Sequence, residues 1–347
     1  MSKRISPDQG RAEELRQKIA SGSQDPDNYL ALSDLLLATG RDEEAISVCQ
    51  QALALSLTNF QEARVSVELG WAFFELGRQV EALPLAQSAI DLLSEETENA
   101  ELLTCRGKSQ SLLAHCMWLK KDEDAKAKEA ARVGLECYER VINGTPGFPE
   151  IGVVYHDAAR LHSLLGNTKT AIEFCERCLQ CELEEPQQLW CLNLLADCLR
   201  CEQRLAEAES TIQEAFSHAD ADKGTLPALY LTLGLIQRSS NRPAEARETF
   251  QKALAALKAH RYLSNDPSFC TDIYWNLGEL DYYAENLTEA LKTFEEILFY
   301  HPDDDLDHRN ALLWIGSCYQ AMGEPQKAMD YFNKVLLLNV SEREKIS

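Results

Sequence analysis

The stretch Tyr274–Pro302 reads YWNLGELDYYAENLTEALKTFEEILFYHP, two short helical patterns on either side of Glu285-Asn286. In the first, Tyr274, Leu277, Gly278 and Asp281-Tyr282 recur every three or four residues, the spacing that stacks side chains on one helix face. Ala290, Phe294, Ile297 and Leu298 do the same in the second. Gly278 and Ala290 stand 12 apart, so two backbones can approach closely while larger groups fill the flanks. Pro302 then stops the helix. Such a two-helix hairpin cannot bury its apolar face alone and requires copies of itself.

The copies follow the same spacing. Ser33/Ala45, Gly70/Ala82, Ala159/Ala171, Ala196/Ala208, Gly234/Ala246, Gly278/Ala290 and Gly316/Ala328 are all small pairs 12 residues apart. Four residues beyond each alanine comes an apolar plug: Cys49, Ala86, Cys175, Ile212, Phe250, Phe294 or Phe332. Seven residues beyond the first small position stands Gly40, Gly77, Gly166, Asn241 or Gly323, types that accept the left-handed conformation ending a helix. Gln203 and Glu285 break this rule, and Asn286 is expected to take the turn in place of Glu285. A period of 37 to 44 residues repeated this often indicates a solenoid. The 89 residues from Gly70 to Ala159 hold one longer unit, whose second helix reads Gly134, Tyr138, Val141, Pro146. Its first helix has two registers open to it, through Gly107 or through Ala114.

This pattern resembles the tetratricopeptide repeat. The runs Tyr230-Leu233-Gly234-Ala246-Phe250-Ala253 and Tyr274-Leu277-Gly278-Ala290-Phe294-Pro302 match that family's motif well, and Leu312-Ile315-Gly316-Tyr319-Ala328-Phe332 nearly so. The resemblance covers about Asp25 to Val340 and implies an all-α, right-handed superhelical solenoid of tandem antiparallel helix hairpins. Residues 1–24 are expected to form a capping helix and linker, 25–340 about eight hairpins, and 341–347 a tail. The helix start at Ser6-Pro7-Asp8-Gln9 carries a capping serine and a first-turn proline. The connector Ala259 to Pro267 is the longest break and a candidate hinge. The last hairpin is expected to stop at Val340, leaving Met329, Phe332, Leu336 and Leu337 partly uncovered for a partner or a second copy.

With 56 acidic against 34 basic residues the net charge is -22, so DNA and RNA are unlikely partners, whereas a basic protein segment would be steered inward. There is no run of about 18 apolar residues to cross a membrane. The N-terminal Met1 to Pro7 lacks the apolar core of a secretion signal, and twelve cysteines inside helices suit a reducing cytoplasm. Cys175, Cys178, Cys181, Cys191, Cys198 and Cys201 look like metal ligands out of context. They fall on core positions of continuous helices, Cys201 alone facing outward, so no metal and no cofactor is expected. No nucleophile elbow, phosphate loop or paired-histidine motif is present, and the reading is of a protein that is not an enzyme.

What remains is a groove. The resemblance implies a concave wall lined by the first helix of each repeat, at offsets three before, one after and four after the first small residue. Leu30, Asp34, Leu37, Val67, Trp71 and Phe74 then give an apolar opening. His156 and Arg160, then Asn193, Asp197 and Arg200, then Arg238, then Trp275, Glu279 and Tyr282 follow, with Trp190 nearby. Guanidinium forks grip carboxylates in pairs of hydrogen bonds, or pair internally, as Arg160 with Asp197 across adjacent helices. The family's lysine-asparagine carboxylate clamp is not matched. These twelve residues, from Trp71 to Tyr282, are the expected contacts for a protein or peptide partner. The alternative is a regulatory sensor, because lengthened repeats are similar to bacterial quorum-peptide receptors. Those carry an extra N-terminal effector part, whereas about 24 residues precede the repeats here.

Overall fold

The computed structural model of the protein describes residues 7–37, 41–94, 99–118, 124–219, 225–259, 267–300 and 306–346. Among them every regular element is a helix. After α1 (Pro7–Ala20) the helices pair: α2 (Pro26–Leu37) with α3 (Asp42–Leu53), and α4 (Asn59–Glu75) with α5 (Gln79–Leu92). The long third pair is α6 (Ala100–Trp118) with α7 (Asp124–Gly144), followed by α8 (Ile151–Leu164) with α9 (Thr168–Leu179) and α10 (Glu185–Cys201) with α11 (Leu205–His218). The array ends with α12 (Leu226–Ser239) and α13 (Pro243–Ala259), α14 (Pro267–Tyr283) and α15 (Leu287–Tyr300), α16 (Leu306–Ala321) and α17 (Pro325–Ile346). Each hairpin packs on its sequence neighbours, as a solenoid requires. Ser6, Gly40 and the body of the expected hinge, residues 260–266, lie outside the described residues.

Small residues hold the pairs together. Ala45, Ala82, Ala171, Ala208, Ala246 and Ala290 are fully buried. A Cβ on Gly278 would stand 2.6 Å from the Phe294 ring, and one on Gly234 or Gly316 would stand 2.5 Å from Phe250 or Phe332. The plug therefore occupies the space that the absent side chain leaves. In the first hairpin the same offset places the Cys49 thiol as donor to Ser33 Oγ at 3.2 Å. The third hairpin takes the Gly107 register: a Cβ there would fall into the Tyr138 ring, and a Cβ on Gly134 would stand 3.4 Å from the Gly107 carbonyl oxygen. Glycine and plug are 31 residues apart in this hairpin instead of 16, and the extra length goes into helices of 19 and 21 residues.

The helices end where left-handed residues allow. Gly77, Gly166, Asn241 and Gly323 have φ between 56° and 78°. Gln203 and Glu285 adopt the same conformation at 60° and 61°, so Glu285, not Asn286, makes the turn. Asn286 immediately precedes the next helix, its backbone N–H donating to the Asp281 carbonyl at 2.8 Å and its side chain to Asp281 Oδ1 at 3.3 Å. Asp281 is itself buried and receives Arg247 from α13. Arginine at the head of the second helix reaches the glutamate three residues on in Arg41–Glu44, Arg78–Glu81, Arg204–Glu207 and Arg242–Glu245.

The two ends of the chain differ. On α1, Ala12 and Leu15 are buried against Leu32, Leu35 and Leu36 of α2. Arg11, on the exposed side, donates to Glu184 Oε1 at 3.1 Å, just before α10. Residues 173 apart therefore touch, and the ribbon curls back on itself. At the other end α17 does not stop at Val340 but continues to Ile346, because no proline or left-handed residue interrupts it. Met329, Leu336 and Leu337 on it are 56%, 61% and 70% exposed.

Candidate functional site

First helices of successive hairpins lie side by side, and their side chains meet on one wall. Arg64 on α4 donates to Asp27 on α2 at 2.8 Å. Lys108 on α6 donates to Glu68 on α4 at 3.2 Å. Beside that pair, the His115 ring of α6 stands 5.4 Å from Trp71 and 5.9 Å from Phe74, both edge-on. The Arg160 guanidinium of α8 lies over the Trp71 ring at 4.4 Å, bridging two hairpins that are not neighbours in sequence. An arginine over an indole contributes about 0.5–2 kcal/mol, more when water is excluded.

Electrostatics divide this cluster. Asp34 on α2 is exposed, yet the wall around it and the Glu68 carboxylate push its carboxyl up to about 7. Lys108 is pushed far above its ordinary range, chiefly by Glu68, with Asp157, Asp34 and Glu150 adding to it. Burial drives His115 down to about 3, helped by the Arg160 charge, so its ring is neutral. Its Nδ1 lies 2.7 Å from the Ser111 carbonyl, which can only accept, so Nδ1 carries the proton. Burial alone would raise Asp157, but the His156 hydrogen bond at 3.2 Å and the nearby cations hold it below the usual carboxylate value.

Of the twelve expected contacts, Trp71, Phe74 and Arg160 come together as one cluster, with His156 held against Asp157 beside Arg160 on the same helix. Arg160 does not pair with Asp197. That carboxylate is taken within α10 by Arg200 at 2.8 Å, because a side chain one helical turn away reaches it first. Arg238 is taken by Glu279 and by Asn276 Oδ1 across the α12–α14 gap. Trp275 donates to Asp307 at 3.3 Å and Tyr282 stands edge-on to Trp314 at 5.1 Å, both toward α16. Trp190 is 40% exposed, and Asn193 Oδ1 is buried without a hydrogen-bond partner. Leu30 and Val67 are buried between helices at 5% and 1% exposure, so they do not line the wall.

Lys108, Glu68 and His115 were missed by the sequence reading. In the Gly107 register Lys108 falls one residue after the small position, the same offset as Trp71 and Arg160, so choosing that register would have found it. His115 lies beyond all three offsets and carries no such signal. Among the cysteines, Cys175, Cys178, Cys191 and Cys198 are at most 1% exposed, Cys181 is half-buried and Cys201 is exposed. The Cys178 thiol donates to the Gly152 carbonyl at 3.2 Å and Cys191 to the Cys175 carbonyl at 3.4 Å, which makes them core donors. Among the described residues no group of three or more His, Cys, Asp or Glu is placed to hold a metal ion, and no helix is long and apolar enough to cross a membrane.

Tandem helix hairpins with a shared inner wall define a helical-repeat solenoid. The repeat is the tetratricopeptide repeat: models of that family match residues 29–62, 153–181, 187–259 and 310–338. No curated protein matches in sequence. Among solved structures, a Rap protein complexed with Competence and Sporulation Factor superposes with TM-score 0.55 at 12% identity, covering 96% of this chain and 99% of that one. The apo form of the quorum sensor NprR from B. thuringiensis gives 0.53 at 13% identity, covering 95% and 87%. BtubC from P. vanneervenii gives 0.51 at 16% identity, covering 62% and 91%. At such identities these likenesses establish the shared fold alone.

Proposed function

We propose that the protein is a non-enzymatic interaction scaffold that holds a segment of a partner protein on the wall formed by its first helices. One observation carries this: the Arg160 guanidinium, in an acidic chain, lies over the Trp71 ring and makes no hydrogen bond or ion pair among the described residues, although its charge acts on Asp157. A cation with no carboxylate in hydrogen-bonding reach, beside half-buried Trp71 and Phe74, supplies the aromatic and charged anchors on which interfaces concentrate their binding energy. Arg200 and Arg238 are occupied internally, so their part is smaller. The test compares partner capture from the native cell by the wild type, by Trp71→Ala with Arg160→Ala, and by Arg200→Ala with Arg238→Ala. The first pair of changes is expected to abolish capture at unchanged helicity, the second to weaken it. Undiminished capture by the Trp71–Arg160 variant overturns the assignment.

A second reading, a sensor whose superhelix tightens on its ligand, is favoured by the Arg11–Glu184 contact. It is a single exposed ion pair between residues 173 apart, weak enough for a ligand to shift. A ligand-dependent change in radius of gyration supports this reading; an unchanged radius with ligand bound removes it.

A further inference from the structure

The last turn of α14 carries two adjacent tyrosines, Tyr282 and Tyr283, and α16 of the next hairpin sets Trp314 against both. Ring centres are 5.6 Å apart in the tyrosine pair, 5.1 Å from Tyr282 to Trp314 and 6.2 Å from Tyr283 to Trp314. The planes meet at 85°, 79° and 84°, so the three rings stand mutually perpendicular, like the faces at the corner of a box. Perpendicular rings that face one point have centres farther apart than the point is from each, by the diagonal of a square. These separations put such a point about 4 Å from each ring, well inside the reach of a cation over an aromatic face. Cations of this chain sit at that distance over other rings: Arg160 over Trp71 and Arg78 over Phe73 at 4.4 Å, and Lys334 over Tyr331 at 4.2 Å. Among the described residues none sits over Tyr282, Tyr283 or Trp314.

Packing explains part of the trio. Fully buried Phe294 lies parallel to the Trp314 indole, 5.3 Å away at 17°, and holds it in place. Packing does not explain Tyr283, which is 73% exposed and closes the corner from the solvent side. The surroundings favour a cation there. The hairpin α14–α15, Pro267 to Tyr300, has seven acidic residues and a single basic one, Lys292. Glu285, exposed, stands two residues beyond Tyr283.

We propose that Tyr282, Tyr283 and Trp314 form a three-sided aromatic seat for an alkylammonium group, supplied by a lysine side chain of a partner protein. The electron-rich ring faces attract the charge, and the acidic hairpin draws a basic segment toward it. The lysine's methylene stem would lie along the rings while its head fills the corner. Because the rings hold the charge and not an N–H, methylation of the ammonium should keep or strengthen the contact. This goes beyond the groove reading and stands on residues other than Trp71 and Arg160.

The experiment uses fluorine NMR on the full-length chain with fluorotryptophan at its five tryptophans, the Trp314 and Trp71 signals assigned by Trp314→Phe and Trp71→Phe. The probes are N-acetyl-lysine methylamide, its Nε-trimethyl form, and a neutral analogue with tert-butyl in place of trimethylammonium. Both cations are expected to shift the Trp314 signal saturably, the trimethyl form at least as tightly, with the Trp71 signal unmoved. The neutral analogue should bind at least about fivefold more weakly, and Tyr283→Ala should weaken the cations about two- to fivefold. Tyr283→Phe, which keeps the ring, should bind as the wild type does. Circular dichroism checks the fold of each variant. No saturable shift at Trp314 overturns the proposal, as does equal binding of the neutral analogue, loss of binding on methylation, or indifference to Tyr283→Ala. None of these outcomes touches the Trp71 assignment, which partner capture by the Trp71–Arg160 variant decides.

Discussion

The protein packed around Asp34, and after it the Glu68 charge, raises its carboxyl from 3.8 to about 7, with Glu150 adding to the rise and Lys108 and Arg64 opposing it. Below 3.8 the group is protonated in both folded and unfolded chains and has no effect on stability. As pH rises toward 7 the unfolded chain releases this proton first, so stability falls, and above 7 the whole cost remains. Asp34→Asn removes that cost: it should stabilise the chain at pH 8 and not below pH 4. Because Asp34 is exposed, solvent screening keeps the gain below about 1 kcal/mol. Urea midpoints at the two pH values check this, and an equal shift at both refutes the titration. Gln203 and Glu285 make a second residue-scale case, held left-handed where a Cβ crowds the backbone. Gln203→Gly and Glu285→Gly should each raise stability by about 0.5–1 kcal/mol, the relieved strain exceeding the added freedom of the unfolded chain. Unchanged or lowered urea midpoints would contradict that. Which residues face inward was legible from fixed offsets. Who pairs with whom was not, because Arg160 and Arg200 both fall on inward offsets, one and four after the small residue, and side-chain reach alone gives Asp197 to Arg200.

At the scale of the helix pair, one rule holds for Gly234, Gly278 and Gly316: the first helix leaves a gap and the second fills it sixteen residues on, whereas the gap at Gly70 is filled by Leu112 of the next hairpin. Phe294 fills the gap at Gly278 and is fully buried. Gly278→Ala sets a methyl 2.6 Å from that ring and should destabilise the chain by about 1–3 kcal/mol. Phe294→Leu also destabilises, by loss of packing, yet the double variant should be more stable than the sum of the two predicts, since leucine makes room for the methyl. A double-mutant cycle in urea measures this coupling, and additive costs would show that the glycine and the plug do not share one space. The spacing behind this rule was readable in seven hairpins, because small pair and plug kept their offsets. It was hidden in the third, where longer helices separate Gly107 from Tyr138 and the offset no longer identifies them. The end of α17 was misread for a related reason. Nothing in Val340 to Ile346 stops a helix, and periodicity alone marks where packing ends rather than where the helix does.

Curvature belongs to the whole molecule, because it accumulates from small rotations between hairpins that no single repeat encodes. The contact between Arg11 and Glu184 measures it: four hairpins are enough to bring α1 back to the start of α10. Both side chains are more than half exposed, at 55% and 61%, so the bond itself contributes at most about 1 kcal/mol. It reports the curl and does not cause it. With Arg11→Lys, a carbodiimide should therefore form an amide between Lys at position 11 and Glu184, found by mass spectrometry as one cross-linked peptide pair in the monomer. The same treatment of the Arg11→Lys, Glu184→Gln variant should yield no such pair, with unfolding midpoints nearly equal in the two. If a bound peptide tightens or loosens the superhelix, the yield of this cross-link should rise or fall with ligand concentration. Failure to form the amide in the free protein would mean that the ribbon is more open than this contact requires, and the sensor reading would lose its support.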